Sequence, residues 1–306
     1  MLVLVFKRIL TAIPVLWIVA SLTFVLVRVV PGGPFDDERN LPKEIIANLE
    51  AKYHLDRPVS EQYVLYLERL CRGDLGVSYK YVNRTVNDIL ADAFPVSCKL
   101  GLLGLALAVV AGVPLGALAA VRRGTFLDYL SMFTSTAGIS VPTFVIGALL
   151  IYVFGIWLKV LPVALWETPY HMVLPAVTLA FGPTAYLARL TRASVLETLE
   201  KDWVRTARTK GLSGFATIVK HVLRNALVPV VTVLGPLAAI LVTGSFVVEY
   251  IYAIPGMGRF FITAVMNRDY DLIMGTTLLF AILLIFTNML VDITYQILDP
   301  RMRVEG

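Results

Sequence analysis

Six stretches of this 306-residue chain stay apolar over a length that crosses the ~30 Å hydrocarbon layer of a bilayer, and that succession restricts the fold more than any other feature. The first, Ile9 to Val30, follows Lys7-Arg8 and contains one charge, Arg28. The next five run from Pro95 to Val121, Tyr129 to Leu158, His171 to Leu190, Pro229 to Tyr252 and Leu272 to Leu298. Hydrophobic residues make up 58% of the chain and charged residues 16%, with a mean hydropathy of +0.76, which excludes an ordinary soluble domain. Basic residues are retained on the cytoplasmic side of a membrane. Lys7-Arg8, Arg122-Arg123, Arg189 with Arg192, and the segment after Lys201 all fall on one side of the alternation. The pattern predicts an all-α polytopic membrane protein of about six transmembrane helices, with both termini cytoplasmic. The first run is too long for a signal peptide and lacks a small-x-small site before Pro31, so it is expected to be retained. The net charge of +5 is accounted for by these flanks, and the expected non-protein contact is with membrane lipid rather than nucleic acid.

Residues 31–94 form the long polar segment, with acids such as Asp36, Asp37, Glu38, Glu44 and Glu50. Apolar positions recur in it at helical spacing: Ile45, Ile46, Leu49 and Tyr53, then Val64, Leu67 and Leu70. Thr85 and Asp88 stand at capping-box spacing. The predicted layout is an N-terminal transmembrane helix (1–30), a periplasmic helical loop (31–94) and a transmembrane core (95–300) holding a cytoplasmic elbow at 193–228. Within the second span Gly112 and Gly116 permit close helix contact, and Pro114 between them invites a kink.

Catalytic constellations are missing. No G-x-x-x-x-G-K-[ST] run is present to cradle a nucleotide phosphate, and Gly256-x-Gly258 lacks the third glycine of a dinucleotide turn. His54, His171 and His221 are scattered, so no metal site is expected. Cys71 and Cys98 have no redox spacing, and a bridge between them would require both to face an oxidising compartment. Arg28, Glu249 and Asp292 stand near span ends, and Asp292 is expected to bond locally, beside Tyr295 and Gln296, or to a neighbouring helix. An ion-driven secondary transporter normally needs more intramembrane charge than this. Thr243 and Ser245, flanking Gly244, make the fifth span the candidate pathway wall, although such hydroxyls often bond their own backbone.

The longest basic, amphipathic interruption is Lys201 to Pro229. Asp202 can cap a first short helix and Gly211 can end it in the left-handed conformation. Ser213 can cap a second, on which Phe215, Ile218, Val219, Val222 and Leu223 form a stripe. A helix–Gly–helix elbow of this kind suits either docking into a groove on a soluble partner or resting on anionic lipid.

Arg205-Thr206-Ala207-Arg208-Thr209-Lys210-Gly211-Leu212 resembles the cytoplasmic loop signature of ATP-binding-cassette (ABC) importer permeases, Glu-Ala-Ala, three residues, then Gly. Arg205 and Thr206 stand where the general motif has Glu and Ala, a departure typical of the peptide/nickel permease family. Pro31-Gly32-Gly33-Pro34, Gly73-Asp74-Leu75-Gly76, Phe94-Pro95-Val96-Ser97, the run from Glu249 to Gly258, Asn267-Arg268-Asp269-Tyr270 and Asp299-Pro300-Arg301 are also similar to that family. The stretch 47–55 is most similar to the B subunits of its oligopeptide branch; dipeptide, murein-peptide and nickel permeases are near relatives. The resemblance implies a type I importer permease, not an enzyme itself, in the bacterial inner membrane. It implies pairing with a second, homologous permease and with two ABC ATPases that bind ATP and Mg. A periplasmic or lipid-anchored peptide-binding protein would deliver substrate. It further implies that Arg205, Ala207, Arg208 and Gly211 dock the ATPase as a coupling helix, and that Pro255, Gly256 and Gly258 meet the binding protein.

Overall fold

The computed structural model describes residues 2–35 and 42–298. Helix α1 (Leu2–Val29) leads to two short helices, α2 (Lys43–Lys52) and α3 (Val59–Cys71), and then to α4 (Val86–Val121). Thr85 and Asp88 cap α4 reciprocally, as their spacing predicts. Pro95 does not break the helix, so the capped segment before it and the predicted span after it form one continuous α4. Its 36 residues make a rod of about 54 Å, longer than the apolar layer is thick, so its first turns belong to the polar loop.

Among the described residues five helices are apolar and long enough to cross a membrane: Phe6–Val29, Val86–Val121, Tyr170–Leu199, Val228–Ile251 and Tyr270–Leu290. The predicted third span is not one straight helix. It consists of α5 (Phe126–Ser140) and an arm Thr143–Trp157, set at 107° to each other. The arm starts as α6 (Thr143–Leu150) and ends as a π-helix, Ile151–Trp157. The bend falls at the Val141–Pro142 step: α5 ends where Val141 is extended, φ −85° and ψ 126°, the conformation that a following proline favours. Counting the bent pair as one span gives six.

Helix α7 (Tyr170–Leu199) packs along α4 as the central seam. Small residues make the approach possible. A Cβ on Gly112 would meet the Thr184 carbonyl and Leu187, and one on Gly116 would meet the Ala188 carbonyl and Thr191. Gly101 meets the Leu241 carbonyl of α11 (Val228–Val242) in the same way. At one end of the seam Asp128 of α5 accepts a bidentate pair from Arg192 of α7, at 2.5 and 2.9 Å, and a bond from the Gly124 amide. The outermost helix, α1, is fastened to the last helix, α14 (Tyr270–Leu298), by an Arg8–Asp292 ion pair at 2.5 Å. Asp292 therefore finds its partner on a neighbouring helix.

The polar loop is clamped onto the start of α14. Asp271 accepts from Arg69 (3.2 Å), the Val77 amide (3.4 Å) and the Tyr79 hydroxyl (3.3 Å), and Ser78 donates to Asp269. Tyr270 donates to the Gly32 carbonyl at 3.1 Å. Three motifs far apart in sequence, around residues 32, 76 and 270, thus meet in one place. Burial pushes the Asp269 carboxyl above its ordinary value of 3.8, against the pull of the Ser78 bond. The Tyr79 hydroxyl is likewise raised, chiefly by burial. Cys71 and Cys98 are free thiols.

Two outcomes follow from this packing. Gly116→Leu should force α4 off α7 and lower stability by roughly 1–3 kcal/mol or more, read as a fall in the unfolding midpoint of the detergent-purified chain; an unchanged midpoint would mean that the seam tolerates a side chain. Because the folded state holds the Asp269 proton more tightly than the unfolded chain does, this group's contribution is full below pH ~3.8 and declines as pH rises through the folded-state value. Asp269→Asn should flatten that part of the midpoint-against-pH curve, and curves of identical slope would contradict the assignment.

Candidate functional site

The elbow follows the predicted helix–Gly–helix course, with Asp202 as the first residue of its first helix. Helix α8 (Asp202–Thr209) ends at Gly211, whose φ of +83° is the left-handed conformation that favours glycine. Ser213 accepts from the Ala216 amide at 3.2 Å and starts α9 (Gly214–Ala216). The chain then continues as a π-helix, Thr217–Val222, and α10 (Leu223–Ala226). A π-helix bonds i to i+5, and the fully buried positions are Thr217 and Val222, five apart; of the predicted stripe Val222 is buried and Ile218 and Leu223 are half-buried. Phe215 and Val219 of that stripe face outward. Val204 and Val222 join Ala120 of α4 and Val195 of α7 in a buried cluster that seats the elbow on the central seam. Ser194 fixes the returning limb by donating to the Ala226 carbonyl at 2.7 Å.

The predicted docking residues separate. Ala207 is buried, on a helix that packs against the chain's own π-helical segment, so its small size serves the internal fit of the elbow and not an outward contact. Gly211 is exposed, with open space where a side chain would be. Arg205 is exposed and 4.0 Å from Asp202, beyond hydrogen-bond reach. The Arg208 side chain lies outside the described residues. Around Arg205 and Gly211 the elbow also exposes Trp203, Leu212 and Phe215, the last with 78% of its surface free. The surface is thus apolar and cationic together, which suits a groove on a soluble protein with apolar walls and acidic edges. Trp203 and Leu212 were not singled out from the sequence, and their signal was their position on either side of the basic turn.

At the other end of the seam the candidate pathway and outer-contact residues surround a buried carboxylate. The Val228–Ile251 span is interrupted at Gly244, φ +97°, between α11 and α12 (Phe246–Ile251). Thr243 donates to the carbonyls of Ala239 and Ile240, and Ser245 caps α12 through the Val248 amide. Thr243 thus spends its hydroxyl proton on its own helix, whereas Ser245 serves as an acceptor. Glu249, fully buried, accepts from the Ser97 hydroxyl (2.8 Å) and from the Gly258 and Arg259 amides (2.7 and 3.3 Å) at the start of α13 (Met257–Met266). Ser97 in turn accepts from the Met257 amide at 2.9 Å. A Cβ on Gly256 would collide with the Glu249 carboxyl, and one on Gly258 with Phe246. The two glycines are therefore buried packing positions, and of the three predicted outer contacts only Pro255 is exposed. Tyr252 completes the node, sharing a hydrogen bond with Thr178 (2.8 Å) and donating to the Gly147 carbonyl (3.2 Å).

Comparison with known proteins gives consistent matches. Residues 112–304 match the family described as binding-protein-dependent transport system inner membrane component, and residues 1–101 match its N-terminal companion. The chain is 50% identical over 287 residues to the dipeptide transport system permease protein DppB of Bacillus subtilis, covering 94% of this chain and 93% of that one. It is 46% identical over 305 residues to the oligopeptide transport system permease protein OppB of Haemophilus influenzae, covering 99% and 100%. Among solved structures, an amino acid ABC transporter chain aligns with a TM-score of 0.55 at 16% identity, over 69% of this chain and 94% of that one. The MetNI methionine ABC transporter aligns at 0.50 and 16%, over 69% and 96%. At these identities the structures speak for the fold alone, that of type I importer permeases.

Glu249→Ala should leave buried amides at the start of α13 without an acceptor, at about 1–3 kcal/mol each. Glu249→Gln, which keeps an acceptor oxygen, should lose less. Thermal unfolding of the two purified variants checks the order, and equal midpoints would show that the carboxylate does not hold α13.

Proposed function

This chain belongs to the binding-protein-dependent transport system inner membrane components, within the peptide ABC permeases, and from that premise we propose that it forms half of the translocation pathway of an ATP-driven oligopeptide importer. The observation that carries the reading is the elbow: an exposed, cationic and apolar turn, seated rigidly on the α4–α7 seam, in a chain with no nucleotide-binding motif of its own. A second, homologous permease supplies the other half of the pathway. Two ABC ATPases, which hold ATP and Mg, each grip one elbow, here through Arg205, Arg208 and Gly211 together with Trp203, Leu212 and Phe215. Closure of the ATPases pushes the elbow, and the seam carries the push to the far side as a rigid body.

In the same reading the chain lies in the bacterial inner membrane with both termini cytoplasmic. The segment 31–94, clamped to α14, faces outward with Pro255 toward a peptide-binding protein. Oligopeptides are preferred as cargo because the relatives named for them span the full chain and because of the stretch 47–55. Dipeptides are the second reading, supported by the 50% identity to the Bacillus subtilis protein.

Gly211→Asp should leave the chain in the membrane and its assembly detectable while reducing ATP-dependent peptide uptake at least about tenfold, since a side chain at a left-handed position on the docking surface keeps the partner from seating. Normal uptake by that variant would remove the elbow from the coupling path. Competition between a dipeptide and a pentapeptide for uptake separates the two cargo readings.

A further inference from the structure

A groove that the functional reading does not use opens between α4, α5 and α7. Its volume is about 540 Å³, and no charged side chain lines it. Ala119, Ala180, Ala185 and Ala188 are buried in its floor, so the space exists because three helices meet there through methyl groups. Leu115, Leu118, Leu130 and Phe181 stand exposed around it. On α4 the lining stripe steps through Ala111, Leu115 and Leu118, and the next residue on that face is Arg122. The helical phase still holds there, because the Arg122 amide donates to the Leu118 carbonyl at 3.0 Å. Arg122 is exposed, and its side chain has no hydrogen-bond or ion-pair partner among the described residues. Two acids near this end are already matched: Asp128 holds Arg192, and Glu200 lies 3.7 Å from Arg123.

From Leu107 to Arg122 the groove follows about 22 Å of helix, so it runs from the edge of the ~30 Å apolar layer past its middle. Its occupant therefore meets a cation at one end and hydrocarbon along the rest. A peptide is a poor fit, since its backbone amides would be buried there without partners. A partner's helix is too bulky. Along the stretch from Leu107 to Ala119, about 18 Å, a helix would take roughly 1,400 Å³, against the 540 Å³ present. We propose that the groove binds one anionic phospholipid of the leaflet on the Arg122 side. One acyl chain lies between α4, α5 and α7, and the phosphate is held by the Arg122 guanidinium, whose paired donors match phosphate oxygens. The bound chain fills the gap beside the α4–α7 seam, next to the Asp128–Arg192 pair. The site requires only that these helices cross a bilayer, so it stands apart from the importer reading.

The test uses the full chain, purified and placed in bilayers of a zwitterionic phospholipid. Two probes carry the same diazirine-bearing acyl chain, one on phosphatidylglycerol and the other on phosphatidylcholine, and cross-linked residues are mapped by mass spectrometry. The outer face of α1, where Ile13, Trp17 and Leu22 are exposed, reports ordinary lipid contact. The phosphatidylglycerol probe should label groove residues about fivefold more than the phosphatidylcholine probe, as expected for one arginine at the membrane surface, while the two label α1 alike. Arg122→Gln should abolish that preference, and Arg122→Lys should keep part of it. Ala111→Phe, at an exposed lining position, should lower groove labelling by either probe and leave α1 labelling unchanged. Equal labelling of the groove by both probes, unaltered by Arg122→Gln, overturns the site and leaves general lipid contact. A groove that neither probe labels, in a chain whose α1 is labelled, also overturns it and assigns that face to a protein partner.

Discussion

Within an apolar layer no water is available to satisfy backbone amides and carbonyls, so each break in a helix must be answered by the protein. This chain breaks its helices in several places. Where α13 begins, Glu249 and Ser97 accept from three successive amides. The carboxylate needs no cation beside it, because the first amides of a helix already present partial positive charge. The surrounding glycines are a consequence of that choice: Gly244, Gly256 and Gly258 leave the space that the carboxyl and its turn occupy. Motifs that look unrelated in sequence, around residues 97, 249 and 256, are parts of one hydrogen-bonded unit.

A second unit of the same kind lies on the polar loop, where Asp269 and Asp271 gather donors from residues 69 to 79. Between these two units and the elbow runs the α4–α7 seam, whose glycines bring backbone against side chain. The result is a stiff rod with a polar fastening at one end and an exposed, basic turn at the other. Movement imposed on such a turn is not absorbed locally, because close-packed helices have few intermediate arrangements.

The succession of apolar spans and the caps at Thr85 and Ser213 were legible in the sequence, because apolar length and capping residues are local signals. The fate of each proline was not. Pro95 and Pro142 are the same residue in similarly apolar surroundings, yet α4 passes through one and the chain turns 107° at the other. What differs is the packing on either side, which the sequence does not spell out. The elbow shows the same limit on a smaller scale. Its helices and its left-handed glycine were readable, but a π-helical turn put Thr217 into the buried face beside Val222 and left Phe215 and Val219 of the expected stripe outside it. Ala207 and the pair Gly256 and Gly258 were marked by motif, and motif does not tell an inward position from an outward one. Glu249 was visible as an intramembrane acid, but its Ser97 partner was not, since it comes from a helix 152 residues earlier in the chain.

The bent third span bears on how the chain is made. Its halves, α5 and the arm Thr143–Trp157, are each about 22 Å long, shorter than the layer they occupy. Neither half is held by its own length. Gly138 of α5 closes on Ala185 of α7, Gly147 of the arm closes on Thr178, and the bond from Tyr252 to Gly147 comes from later still. During synthesis this region therefore emerges well before the residues that fix its shape. Its final geometry waits for some hundred further residues, and until then the nascent chain holds a segment whose place in the membrane is still to be decided.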